Sequence, residues 1–278
     1  MTMQVSKTAV MAIKAYQHQA KLLFNDYLLA DPFIPYTSVI GGVLLCKLIY
    51  DLSQFTTLWY YKGYAGLMKI QRAEWGNRCI STAHAIFISG MALYLVFLSD
   101  VFSDSDGPIT FKSSSLSTFA LGISVGYFIS DLGMIAWSYP SLGGLEYIVH
   151  HLLSVVAVAY SMLSGEGQVY TFMVLISEIT TPCVNMRWFL DTAGMKMSRL
   201  YLLNGVVLFF GWLIARILLF GYIYHHVYLH YYQVKQMFFF GFFLVFVVPF
   251  ALAVMNLMWF GKILKGLKKI LAKRQQTD

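Results

Sequence analysis

Residues 200–224 read LYLLNGVVLFFGWLIARILLFGYIY, a run in which Arg216 is the only charged side chain. At 1.5 Å rise per residue such a helix is roughly 37 Å long, enough to cross a hydrocarbon layer about 30 Å thick. An apolar run of that length makes lipid the solvent of its surroundings. Six further stretches read the same way, at about 37–59, 79–99, 117–138, 146–164, 169–190 and 237–261. The one at 169–190 is the weakest, being interrupted by Glu178, Pro182, Asn185 and Arg187. Composition agrees, with 58% hydrophobic and 12% charged residues against roughly 45–50% and about 25% in soluble domains. The expectation is an all-α polytopic membrane protein of about seven transmembrane helices. Disordered chains, secreted disulfide scaffolds and soluble Rossmann or barrel enzymes are excluded.

The net charge of +7 does not point to nucleic acid, because the basic residues sit between apolar blocks and form no single stripe. They read instead as a topology signal. With seven spans, one side receives Lys7, Lys14, Lys21, Lys112 and Lys235. The other receives Lys62, Lys69, Arg72, Arg78, Arg187, Lys196, Arg199, Lys262, Lys265, Lys268, Lys269, Lys273 and Arg274. This imbalance predicts a cytosolic C-terminus and a lumenal or external N-terminus. The last six of those residues would anchor the final helix to anionic headgroups. Cys46, Cys79 and Cys183 have no metal-ligand spacing and read as packed thiols. The first thirty residues lack the pattern of a cleaved signal peptide. Lys7, Lys14 and Lys21, seven apart, suit either an amphipathic surface helix or a solvated tail.

Threading the spans up and down places several polar residues at one depth. His84, Asp131, His150, His151, Asn185, Asn204 and Asn256 all fall roughly 6–11 Å below the cytosolic boundary. Polar groups in lipid cost a few kcal/mol each on insertion scales, so they turn toward a bundle interior or a wet cavity. A polar chamber opening toward the cytosol is therefore expected. His84, Asn185, Asn204 and Asn256 are its candidate ligand-binding residues, although an asparagine is as readily interhelical glue. His150 and His151 are adjacent and so diverge by about 100°, yet both can border one cavity. Asp131, at matching depth on the preceding span, is the candidate partner. An imidazole oriented by a carboxylate is the arrangement a general base needs; a purely structural His–Asp bond uses the same residues. Deeper in the membrane, Glu178 and Arg216 are expected to form a structural ion pair, and Lys47 with Asp51 a pair within the first span. His225, His226 and His230 lie among tyrosines and read as interfacial belt. No metal site is expected.

The segments Glu74–His84 (EWGNRCISTAH), Gly126–Asp131 (GYFISD) and His150–Ser154 (HHLLS) resemble, in order and spacing, the motifs of TLC-domain proteins. That family is named for translocating-chain-associating, longevity-assurance and ceroid-lipofuscinosis proteins. Glu178–Trp188 is similar to one branch of it. The resemblance implies a TLC domain over 70–265 built from the last six helices. It leaves residues 1–69 as an N-terminal segment with the first span and 266–278 as a basic tail. It further implies an endoplasmic-reticulum or related endomembrane protein concerned with lipid. Ceramide synthases of this family transfer an acyl group from acyl-CoA to a sphingoid amine using paired histidines, a role that would fall on His150 and His151. Where those enzymes carry two aspartates downstream, Leu175–Pro182 keeps one carboxylate, Glu178. Three functions follow as expectations: binding and homeostasis of membrane lipids or acyl chains, acyl transfer from acyl-CoA as substrate, and lipid transport or membrane-protein chaperoning. No cofactor and no nucleic acid are implied, and a homo-oligomer is left open.

Overall fold

The computed structural model describes residues 32–104 and 107–275, with Lys14 and Tyr16. The N-terminal surface helix or tail falls almost wholly outside the described residues.

Seven helices are long and apolar enough to cross a membrane. They are α1 (Ile34–Tyr60), α2 (Lys69–Leu98), α3 (Ser115–Trp137), α4 (Leu145–Ser164), α5 (Gln168–Thr192), α6 (Arg199–Leu229) and α7 (Phe239–Gln275). Helices suit lipid because every backbone hydrogen bond closes within the segment. Serines set two of the starts: Ser114 accepts from the Ser117 amide at 3.0 Å and Ser198 from the Tyr201 amide at 3.1 Å, satisfying donors that the first turn leaves free. The tight α4–α5 connection relies on Gly165 (φ 75°) and Gly167 (φ 65°), a left-handed backbone that costs glycine nothing.

Two helix ends differ from expectation. α2 begins at Lys69, about ten residues before the apolar run it carries, and α7 continues through the expected basic tail to Gln275. Apolar length marks where a helix meets lipid, not where its backbone begins, so polar extensions such as Glu74–Arg78 escape a hydropathy criterion. Three spans also depart from regular α geometry, the first being α2, which ends in a π turn over Tyr94–Leu98. α5 tightens to 3₁₀ over Ile176–Thr180, just before Pro182, which lacks the N–H that would continue the ladder. α6 widens to a π turn over Leu213–Leu218.

Six helices close a ring in the order α2, α3, α4, α7, α6, α5, each packed on its neighbours, with α5 returning to α2. α1 stands outside, against α3 and α2. Small residues allow that contact: a Cβ on Gly126 would lie 2.4 Å from the Val39 carbonyl, and one on Gly42 2.6 Å from the Ile123 carbonyl. Gly122, four residues before Gly126, receives Ser38. This is the small-xxx-small packing by which membrane helices approach closely. Replacing Gly126 by leucine is expected to destabilise the protein by about 1–3 kcal/mol through overpacking, read as a lower unfolding temperature in detergent. The equivalent change at Gly90, whose Cβ would meet nothing, is the control.

Apolar side chains from α2, α3, α4 and α5, among them Ile88, Leu95, Leu121, Phe128, Val158 and Phe172, fill the ring's interior away from the α2–α3 helix ends at Lys69 and Trp137. At that end, which carries Glu74, Arg78, Arg187 and Lys262, the interior is polar.

Candidate functional site

A cavity of about 500 Å³ occupies the polar end of the ring, within the range of small-molecule sites. Its wall takes Asn77 and Arg78 from α2, Asp131 from α3, His150 and His151 from α4, Glu178, Asn185 and Arg187 from α5, Trp212 and Arg216 from α6, and Trp259 and Lys262 from α7.

His151 Nε2 lies 2.6 Å from Asp131 Oδ2. The other Asp131 oxygen accepts from Asn77 Nδ2, so three helices hold this carboxylate. His151 Nδ1 lies 2.9 Å from the Tyr147 carbonyl oxygen, one turn back on α4. A carbonyl only accepts, so Nδ1 carries a proton and donates. A second proton must then lie between Nε2 and Oδ2, because two bare acceptors would repel at that distance. The dyad thus holds two protons on three hydrogen-bonding positions and has no free base. His150 differs. Its ring lies edge-on to His151 (centroids 5.2 Å) and to Trp259 (5.6 Å), and its Nδ1 is buried with no hydrogen-bond partner among the described residues. Buried polar atoms are nearly always satisfied, so this nitrogen lacks a partner that a protein interior normally supplies, while the His150 ring lines the cavity.

The irregular turns of α5 and α6 face each other here. The tightened turn presents Glu178 and the wide turn presents Arg216, with Nη2 3.6 Å from Glu178 Oε1. Arg216 Nε donates to Thr180 Oγ1 at 2.8 Å, and Nη2 to Thr181 Oγ1 at 3.3 Å. Thr181 Oγ1 in turn donates to Glu178 Oε2 at 2.6 Å. The pair is therefore bound into a polar cluster on the cavity wall. Arg78 is also tied, with Nη2 2.7 Å from Glu74 Oε1 and Nη1 donating to Asn185 Oδ1 at 3.1 Å. Arg187 meets no carboxylate among the described residues; its guanidinium lies 4.2 Å from the Tyr201 ring centroid. A second cavity of about 210 Å³ lies between α6 and α7 and shares Arg187, Leu208, Lys262 and Ile263 with the first.

The structure brings together only part of the expected layer of candidate ligand-binding residues. Asn185 lines the chamber, but His84 and Asn204 do not. His84 is stacked behind Tyr127 (centroids 3.8 Å), with Nε2 3.1 Å from Ser124 Oγ. Asn204 donates to the Cys183 carbonyl at 2.9 Å, joining α6 to α5. Asn256 sits behind Arg216, accepting from Nη1 at 3.4 Å, while its carbonyl accepts from Trp212 Nε1 at 3.0 Å. Depth along a helix does not fix azimuth, and each residue turns the side chain by about 100°. Unforeseen wall residues include Asn77, Arg78, Arg187 and Trp259. For the α2 pair a signal existed: Glu74, Asn77, Arg78 and Ser81 follow the i, i+3, i+4, i+7 spacing of one helical face.

Asn185 is a knot in this wall. Its Nδ2 lies 3.0 Å from Thr82 Oγ1, 3.2 Å from Ser81 Oγ and 3.2 Å from the Arg78 carbonyl. Asn185→Ala should remove one donor from that cluster and the acceptor of Arg78 Nη1, leaving Arg78 held by Glu74 alone, and cost about 1–3 kcal/mol. Unfolding temperature measures it, with Asn204→Ala, which frees a single carbonyl, expected to cost less.

Fold and site together define a seven-helix integral membrane protein with a cavity, lined by polar and apolar side chains, inside one end of a six-helix ring. The TLC-domain family model matches residues 74–265, and the chain belongs to that family. TLC domain-containing protein 4-B of Xenopus laevis is 30% identical over 217 residues, covering 76% of this chain and 81% of its own length. The human TLC domain-containing protein 4 is 29% identical over 237 residues, covering 81% and 87%. TLC domain-containing protein 1 of Gallus gallus is 26% identical over 146 residues, covering 51% and 56%. No solved structure matches this chain. The region matched by the family model begins after α1 and spans the six helices of the ring.

Proposed function

We propose that this protein handles membrane lipids by drawing a lipid's polar head into the chamber, where His150 binds it, and that it thereby contributes to lipid homeostasis in an endomembrane such as the endoplasmic reticulum. The observation that carries the reading is the His150 ring on the wall of a 500 Å³ cavity, its Nδ1 without a hydrogen-bond partner among the described residues. The His151–Asp131 pair holds a fixed proton beside it. The Lys and Arg distribution supports a cytosolic position for this end.

A second reading, acyl transfer, is favoured by the same nitrogen. His150 would accept the proton of a lipid amine as the amine nitrogen attacks the thioester carbonyl of an acyl-CoA. The C–N bond forms, the C–S bond breaks, and the proton passes from His150 to the departing thiolate. Arg187 and Lys262 at the wall suit the phosphates of such a donor.

Purified protein in nanodiscs, incubated with endomembrane lipid extract and analysed by mass spectrometry, tests both readings. The wild type should retain a narrow set of lipids, and His150→Phe should lose them at least tenfold. Equal retention by both sinks the binding reading. Absence of free thiol release from labelled acyl-CoA, with lipid amines present, removes acyl transfer and leaves binding standing.

A further inference from the structure

Among the described residues, the wall of the main cavity carries the cations Arg78, Arg187, Arg216 and Lys262. Glu74 matches Arg78 and Glu178 matches Arg216, and the Asp131–His151 pair is neutral as a unit. Arg187 and Lys262 are left over. Lys262 Nζ does lie 3.7 Å from Glu146 Oε1, but the two side chains are 65% and 40% exposed, and a solvated pair of that kind contributes little. Arg187 donates no hydrogen bond among the described residues. Its guanidinium lies over the ring of Tyr201, which is buried, so one face rests on a fixed platform. Stacking occupies the face of a guanidinium and leaves its N–H edge free. Nη1 is the nitrogen beside Gly205, and Gly205 lines the outer hollow between α6 and α7. Arg187 and Lys262 both line that hollow as well as the main cavity. The rest of its lining is glycine, leucine and isoleucine, so no side chain there supplies an acceptor.

We propose that the junction of the two hollows binds a terminal phosphate, with the Arg187 fork on two of its oxygens and Lys262 on the third. This rests on the head-group reading above and names the class of head. Two cations without committed partners call for an anion, and the count of oxygens selects among anions. A carboxylate or a phosphodiester offers two terminal oxygens, and a guanidinium fork takes both, leaving none for the lysine. A phosphate monoester offers three and carries nearly two negative charges at neutral pH. The apolar remainder of the outer hollow suits a carbon chain behind the phosphate. That phosphate can arrive on a lipid lying against α6 and α7, or on a soluble molecule that reaches the polar end of the ring.

The full-length protein in detergent, titrated separately with phosphatidate, phosphatidylglycerol, coenzyme A and dephospho-coenzyme A and followed by native mass spectrometry, tests the proposal. Within the lipid pair, and within the coenzyme pair, only the first member has a terminal phosphate monoester. At least one pair should show a preference for it of about tenfold, the scale of a hydrogen bond to a charged group. A preference in the lipid pair identifies a lipid head as the source, and one in the coenzyme pair alone identifies a soluble molecule. Arg187→Gln and Lys262→Gln should each abolish the preference. Lys262 is exposed, so its variant probes the site without disturbing the fold. Lys265→Gln, one turn along α7, exposed and outside both hollows, should keep the preference in full. A wild type with no preference in either pair, a preference that survives either glutamine at the junction, or an equal loss in Lys265→Gln overturns the proposal. Such a failure leaves His150-dependent lipid retention standing. Retention that ignores His150→Phe while the phosphate preference holds strikes the binding role of His150 alone.

Discussion

Asp131→Ala is expected to destabilise the protein by about 3–5 kcal/mol, the usual cost of removing one partner of a buried ion pair. The loss has two parts. His151 has its Nδ1 proton committed to the Tyr147 carbonyl, so without the carboxylate it must either keep an uncompensated charge or give up its second proton and leave Nε2 bare. Asn77, which donates to the same carboxylate, loses its acceptor as well. Asp131→Asn is the informative companion: it keeps the volume and an acceptor for Asn77 but removes the charge. A smaller fall in unfolding temperature for asparagine than for alanine, with lipid retention lost in both, would separate the charge from the scaffold. If Asp131→Ala unfolds at the wild-type temperature, the three-helix tether described above is wrong.

Breaking the Glu178–Arg216 pair from one side should be comparably costly, again about 3–5 kcal/mol, because the survivor is left as a buried charge without its counter-charge. Arg216→Leu strips donors from Thr180, Thr181 and Asn256 together. Glu178→Leu leaves the guanidinium without its counter-charge. The double variant Glu178→Leu/Arg216→Leu is expected to recover much of the stability lost by either single change, since apolar replacement of both members of a buried pair is often neutral. Unfolding temperatures of the four proteins form a double-mutant cycle whose coupling should exceed about 1 kcal/mol. Additive losses would show that the two groups act independently, despite their shared hydroxyls.

Span positions were legible because twenty apolar residues in a row have few readings other than a membrane helix. The Asp131–His151 contact was legible too, since consecutive spans joined by a short loop are neighbours and equal depth brings their side chains level. What escaped depended on rotation and on order around the ring. His84 shares the depth of His151 yet stands behind Tyr127. Trp259 and Lys262 reach the chamber because α7 inserts between α4 and α6, an order that hydropathy does not encode. The Gly122–Gly126 spacing was readable as a packing signal. Its partner, Ser38 with Gly42 on α1, emerges only once the two helices are seen together.

Under the proposed function, the hollow of about 210 Å³ between α6 and α7, which shares four wall residues with the main cavity, would serve the ring as a side door. Arg187 Nη1 rests so close to Gly205 that a Cβ there would stand 2.9 Å from it, so the jamb of that door is a bare stretch of backbone. A molecule passing through it could turn its head inward while its tails stayed among those of neighbouring lipids. Each methylene kept out of water in that way spares about 0.8 kcal/mol. Under the proposed function a long-chained guest would therefore favour the sideways route over one through the aqueous phase, past the bare backbone of Gly205 beside Arg187.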